Sequence, residues 1–184
     1  MRDLVVTENI TLDGVIDASE GWFDVAGKAD TQDLEAALRE QSDACDAVLF
    51  GRQTFEDMRG YWPLQTNDTT GVTDYLNRVS KYVVSKTITD PQWENSTILT
   101  GNLTEEITAL KAKPGKDIVT TGSIKLVHAL IAAGLVDEYR LFVYPVVIGH
   151  GARLFADATN VPALHLTETR PFHSGVVLLR YRPS

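Results

Sequence analysis

The sequence predicts an α/β fold with three layers, helices covering both faces of a mixed, mostly parallel sheet. Three observations predict it. Short apolar, β-branched runs alternate with longer segments of helical period from Leu4 to Ile131. The alternation then stops, and Tyr139–Val147, Ala163–Thr169 and Val176–Tyr181 follow one another as β runs with no helical stretch between them, so the sheet should finish partly antiparallel. Finally, 184 residues fit one domain, taken as residues 1–184.

The elements read in order as follows. Leu4–Asn9 is the first strand, and Thr11–Lys28, with three glycines, is a long loop. Leu34, Ala37, Leu38 and Gln41 mark a helix that Asp30 or Thr31 could cap. Ala47–Phe50 is a buried strand ending at Gly51, and Thr54–Met58 opens the next helix. Val72, Tyr75, Leu76 and Val79 form another helical stripe. Lys81–Ser85 and Thr97–Thr100 are short strands, and Leu103, Ile107 and Leu110 mark a helix that stops before Pro114. Asp117–Thr121 is a strand, and the helix through Leu126, Val127, Leu130 and Ile131 has Ser123 as its expected cap and Gly134 at its end. The count comes to seven or eight strands.

Composition excludes several classes of function. Lysine and arginine number 17 against 25 acids, a formal net charge of −8, which disfavours nucleic acid and anionic lipid as general partners. One cysteine, Cys45, allows no intramolecular disulfide and suits a reducing, cytoplasmic setting. The N-terminus does not read as a signal peptide, and no apolar run approaches a membrane span. The four histidines show no metal-ligand spacing.

Two strand-to-helix turns carry the chemistry. In Phe50-Gly51-Arg52-Gln53-Thr54, a glycine after a buried strand permits close approach to the backbone, and the helix that follows presents free N–H groups and a positive dipole end. Arg52 adds a charge and Thr54 a hydroxyl. Thr121-Gly122-Ser123-Ile124 repeats that pattern. Either alone reads equally well as an ordinary turn. Together on one sheet they could hold a pyrophosphate between them, at the carboxyl ends of the strands. Between them in sequence, Ser85 and Lys86 end a strand with donors suited to a phosphomonoester.

The ordered motifs resemble the dihydrofolate reductase superfamily, and within it the C-terminal reductase domain of the riboflavin-biosynthesis deaminase-reductase. The marks are Thr11-Leu12-Asp13-Gly14, Leu49-Phe50-Gly51-Arg52-Gln53-Thr54-Phe55-Glu56, Val83-Val84-Ser85-Lys86-Thr87, Thr120-Thr121-Gly122-Ser123, Leu135–Tyr139 and Tyr144–Phe155. The resemblance implies an NADPH site. Gly51, Arg52, Gln53 and Thr54 would bind cofactor phosphates, Ser85 and Lys86 would flank the ribose phosphate, and Thr121, Gly122, Ser123 and Ile124 would contact the pyrophosphate through backbone N–H groups. It also places Asp13 and Gly14 near the nicotinamide and substrate, and Gly149-His150-Gly151 beside the same cleft.

The expected activity is hydride transfer from NADPH to a small heterocycle, with Asp13 or water held by it supplying a proton. Glu8, Gly14, Trp22, Trp62 and His150 are the expected substrate-side residues. Asp33 and Glu35 stand near the place where dihydrofolate reductases carry their pterin-binding acid, outside any matching motif. The alternative is a non-catalytic nucleotide- or ligand-binding module on the same fold. A homodimer is expected through the C-terminal strands, with Tyr139–Tyr144 as the interface candidate.

Overall fold

The computed structural model describes residues 1–23, 30–155 and 161–184. The end of the glycine loop toward Lys28 therefore lies outside the described residues. Eight strands make one sheet: β1 Leu4–Thr11, β2 Cys45–Gly51, β3 Ser80–Val84, β4 Ser96–Leu99, β5 Asp117–Thr120, β6 Glu138–Tyr144, β7 Leu164–Pro171 and β8 Val177–Pro183. Their order across the sheet is β4-β3-β2-β5-β1-β6-β8-β7. Every pairing from β4 to β6 is parallel, and β8 pairs antiparallel with both β6 and β7. The predicted α/β class and the antiparallel finish are both present.

Strand alternation sorts the core onto two faces. Leu4, Val6, Ala47, Leu49 and Ile118 pack under α4 (Leu103–Ala112) and α5 (Ile124–Ala132), through Ile107, Leu110, Val127 and Leu130. On the other face, Val48, Phe50 and Val83 meet Phe55 of α2 (Arg52–Tyr61) and Leu76 of α3 (Val72–Arg78). Beside them, α1 (Gln32–Asp43) places Leu34 and Ala37 against Phe142 and Leu178. A single 3₁₀ turn, Trp62–Leu64, follows α2.

The helix ends refine the sequence reading. Thr31 is the N-cap of α1, but its hydroxyl donates to Glu35 rather than capping, and Asp30 accepts from the Gln32 N–H instead. Asn102 caps α4 through the N–H groups of Thr104 and Glu105. Gly134, at φ 64°, ends α5 as expected, with Leu135 N–H on the Leu130 carbonyl and Gly134 N–H on that of Ile131.

The C-terminal strands also correct one expectation. Tyr139–Tyr144 is not an open interface strand: β6 lies between β1 and β8, and Tyr139, Leu141, Phe142 and Tyr144 are buried in the protein's own core. What ties β6 to β8 is ionic. Glu138 is 3% exposed and accepts from Arg140, Arg180 and Arg182.

A second buried charge sits at the other end of the sheet. Lys81 in β3 is fully buried, donates to the carbonyls of Leu76 (2.6 Å) and Val79 (3.0 Å), and lies 4.8 Å from the Trp93 ring centroid. It satisfies carbonyls that the end of α3 leaves without intrahelical partners. Replacing Lys81 with Met should therefore lower unfolding stability by about 1–3 kcal/mol, because the carbonyls lose their donor inside the protein. Urea unfolding of the variant measures this; an unchanged midpoint would show that the ammonium contributes nothing.

Candidate functional site

The carboxyl ends of β2 and β5 lie side by side, and their two turns are tied to each other. Gly51 N–H donates to Ser123 Oγ at 2.8 Å, and Ser123 N–H donates to Thr54 Oγ1 at 2.9 Å. Ser123 thus does not cap α5 with its hydroxyl; it spends that group on the neighbouring turn. Gly51 is needed for proximity rather than for an unusual dihedral. Its backbone is extended (φ −79°, ψ 165°), and a Cβ there would lie 3.3 Å from both Cβ and Oγ of Ser123. Gly122 (φ 58°) and Ser123 (φ 55°) are both left-handed, and Ser123 holds that conformation against an intrinsic preference.

These ties change which donors are open to a ligand. The N–H groups of Gly122 and Ser123 are already bonded, to Glu8 Oε2 (3.2 Å) and to Thr54. The first-turn N–H groups of α2 and α5 have no acceptor within their own helices. They border a groove of about 570 Å³ lined by Ile16, Ala18, Arg52, Gln53, Ile124 and Lys125, among others. Lys125 is a cation that sequence reasoning missed. Its position in the first turn of α5, directly after Gly122-Ser123-Ile124, was the available signal. Arg52 makes an exposed i,i+4 pair with Glu56 at 3.2 Å. Register pairs Gly51 with Val84, which sets Ser85 and Lys86 beside the start of α2. The Ser85 hydroxyl accepts from the Thr87 and Ile88 N–H groups and shapes that turn, while Lys86 is exposed.

A second cleft, about 250 Å³, lies on the other face between the sheet and the α1, α2 and α3 helices. Thr7, Asn9, Gln41, Trp62, Tyr75 and Thr121 are among its lining residues. Thr7 Oγ1 donates to Gln41 Oε1 at 3.1 Å, and Trp62 donates to Met58 Sδ at 3.1 Å. Burial pushes the Cys45 thiol up to about 11 and raises the Tyr75 phenol, so both stay protonated at neutral pH. An outer pocket shares Leu38, Ser42, Trp62, Val72 and Tyr75 with this cleft and adds Arg39 and Arg78. Sequence assigns neither Thr7 nor Gln41 to a site, since only the packing of α1 on β1 joins them.

The two acids expected near the substrate occupy opposite environments. Asp13 accepts from Thr11 Oγ1 (2.6 Å) and the N–H groups of Gly149 (2.8 Å) and Ile148 (3.4 Å), with Arg153 at 3.9 Å. The Thr11 hydroxyl and these N–H groups hold its carboxyl down at about 2. An acceptor so occupied pins the loop after β6, and its lowered carboxyl favours water held by it over Asp13 itself as the proton donor. Gly14, at φ 84°, completes the same turn, its N–H on the Thr11 carbonyl. Glu8 borders the second cleft from β1, but its side chain runs to the α5 face, level with Leu141. There it is 4% exposed, Oε1 has no hydrogen-bond partner, and burial pushes its carboxyl up to about 8.

The remaining candidates fall away from the cleft. Trp22 is buried, donates to the Asp17 carbonyl at 2.7 Å and packs edge-on against Tyr144, so it serves the core rather than a substrate wall. His150 is exposed near Glu20 at 3.7 Å, beside a hollow of about 40 Å³. Asp33 accepts from the His173 N–H and joins α1 to the β7–β8 turn, and Glu35 pairs with Arg39 at the outer pocket. No group of three or more His, Cys, Asp or Glu among the described residues could hold a metal, and no described helix is long and apolar enough to cross a membrane.

A mixed sheet of this order, with paired strand-to-helix turns at its carboxyl edge, defines a dihydrofolate-reductase-like α/β protein. The chain belongs to the RibD C-terminal domain family, which matches residues 2–178. It is 33% identical over 183 residues to YyaP of Bacillus subtilis (strain 168), itself uncharacterised, covering 98% of this chain and 94% of that one. A solved protein from Shewanella sp. PV-4 assigned to riboflavin biosynthesis superposes with a TM-score of 0.77 at 19% identity over 99% of both chains. Dihydrofolate reductase from Enterococcus faecalis, complexed with NADP(H), superposes with a TM-score of 0.58 at 17% identity, over 98% of this chain and 95% of that one. At these identities the two structures speak to the fold.

The lock between the turns generates a prediction. Gly51→Ala places a methyl group against a Ser123 that two hydrogen bonds and a left-handed backbone keep from moving. Stability should fall by about 1–3 kcal/mol. Thermal or urea unfolding checks it, and a neutral result would mean that the turns slide apart freely.

Proposed function

We propose that this protein is an NADPH-dependent reductase that transfers a hydride to a small heterocyclic substrate. It acts as a single domain over residues 1–184, in the cytoplasm. The observation that carries this reading is the pair of cross-tied turns. They aim two helix N-termini at one groove, with Arg52 and Lys125 on its wall and Lys86 beside it. This donor set fits a pyrophosphate and an additional phosphomonoester. When bound, NADPH supplies the hydride. The chain's own residues bind, orient and exclude water.

In this reading the N–H groups of Arg52, Gln53, Thr54, Ile124 and Lys125 hold the phosphates. The Gly122 and Ser123 N–H groups hold the turn rather than the ligand. Ile16 and Ala18 supply an apolar wall at one end of the groove. The substrate lies in the second cleft, among Thr7, Asn9, Gln41, Trp62 and Thr121. Because the Cys45 and Tyr75 side chains stay neutral and the Glu8 carboxyl turns away, the ring bound there is uncharged and is oriented by hydrogen bonds. The outer pocket balances Arg39 and Arg78 with Glu35 and Asp43. A homodimer through the C-terminal strands uses β7, the edge strand, since β6 and β8 are both internal.

The test is titration with NADPH and with NADH, for the wild type and for a variant carrying Arg52→Ala and Lys86→Ala. NADPH affinity should weaken by about tenfold or more, equivalent to about 1.4 kcal/mol, while NADH affinity changes much less. Unchanged NADPH affinity would remove the cofactor assignment. Tight NADPH binding without turnover of any pterin or aminopyrimidine would favour the non-catalytic module.

A further inference from the structure

Glu8 is a buried ionisable group beside the groove that this mechanism leaves unused. It sits beneath the cofactor groove, on β1, with its side chain directed to the face covered by α5. Oε2 accepts the Gly122 N–H at 3.2 Å, and Oε1 is enclosed without a hydrogen-bond partner. The Thr120 hydroxyl, which belongs to the same face of the sheet, is also enclosed and unpartnered. Leaving such groups unmatched is costly, and a native protein rarely does so without a reason.

The surroundings decide which charge state is tolerated. The elements packed on this face bring Ile118 and Thr120 from β5, Tyr139 and Leu141 from β6, Leu126 and Val127 from α5, and Ile16 from the loop after β1. Of these, only Tyr139 titrates, and burial pushes its phenol up to about 12, so it stays neutral. The charged groups on the elements around the groove are Asp13 and Asp17 on the loop after β1, Arg52 on α2 and Lys125 on α5. Among the described hydrogen bonds and ion pairs, none of the cations reaches Glu8. Burial raises the carboxyl to about 8, and the single Gly122 N–H opposes this only in part. An ionised Glu8 would thus place an uncompensated negative charge directly under Gly122, at the point where an anionic ligand meets the turn.

We propose that Glu8 is the positioning residue of the dinucleotide groove: uncharged, it holds the Gly122–Ser123 turn in its left-handed form, and ionised, it drives off the anionic ligand. This rests on the reductase reading of the groove. Glu8 acts through the turn and touches neither the cofactor nor the substrate. Linkage fixes the sign. A bound anion raises the proton affinity of Glu8, so binding takes up a proton and affinity falls as pH rises through the region of 8. The Glu8→Gln variant keeps the shape and the acceptor but cannot ionise, while Glu8→Ala loses both.

The experiment measures NADPH dissociation constants at about pH 7 and about pH 9.5 for the wild type, Glu8→Gln and Glu8→Ala. The wild type should bind about fivefold or more weakly at the higher pH, the Gln variant should show a ratio near one, and the Ala variant should bind weakly at both. The same pH ratio in the wild type and the Gln variant overturns the proposal while leaving the reductase reading intact. Absence of NADPH binding at either pH in the wild type overturns both. Should the variants fail to fold, the Gly122 amide in wild-type ¹H–¹⁵N spectra replaces them. An inflection near pH 8 that moves upward with NADPH supports the proposal, and no inflection in that region overturns it.

Discussion

The hydrogen bonds that join Gly51, Ser123 and Thr54 are the constraint on which the site depends. They connect two strand ends that are 72 residues apart in the chain and adjacent in the sheet. Without them, α2 and α5 would each be fixed only by its own apolar face, and the angle between their N-termini would be free to drift. With them, two sets of unpaired N–H groups face one groove at a set separation. The arrangement uses a glycine, a serine in a left-handed conformation and a threonine hydroxyl, all within the turns themselves. The strain at Ser123 is a small local cost, offset by its two hydrogen bonds.

The same region contrasts two carboxyls five residues apart in the chain. Asp13 lies at a turn where a hydroxyl and N–H groups converge on it, and it stays charged far below neutral pH. Glu8 lies inside the sheet with one donor, and it holds its proton to about pH 8. Residue type alone would rank Asp13 as the chemical acid, because it follows a strand and precedes a glycine. Burial first, and donor count second, reverse the ranking: an exposed acid with three donors anchors a loop, whereas a buried acid with one donor is pushed toward its neutral form.

Much of the fold was legible from periodicity. Each of the eight strands and five helices falls where apolar spacing and punctuation placed it, because a β-branched run, a glycine and a helical stripe are all local signals. The two turns were legible as well. What each atom in them does was not. Ser123 looks like an ordinary cap until the β2–β5 register brings Gly51 within 2.8 Å of its hydroxyl. Trp22 looks like a cleft wall until Tyr144 is seen to cover it. Tyr139–Tyr144 reads as a surface for a partner, and only the strand order shows that β1 and β8 already flank it. Gln41 is legible only as part of a helical stripe and Thr7 only as part of a strand, since their contact exists only once α1 has docked. The part of the site that depends on long-range register is the part that sequence does not display.

Charge distribution reconciles a net charge of −8 with the anion-binding groove proposed above. Many of the acids are spent locally, several of them at the far edge of the sheet. Glu138 and Glu168 are bonded to Arg140, Arg170, Arg180 and Arg182 across β6, β7 and β8, and Asp117 and Asp3 join the same set. Such a cluster neutralises itself and contributes little field at a distance comparable to the Debye length of about 8 Å. At the groove the balance is reversed. Its lining includes Arg52 and Lys125 and no acid, and the acid lying beneath it, Glu8, is kept uncharged by burial. A protein repulsive to anions as a whole therefore presents a groove where two helix N-termini and Lys125 meet, with Glu56 bonded to Arg52 at its rim and the proposed role of Glu8 resting on its burial beneath.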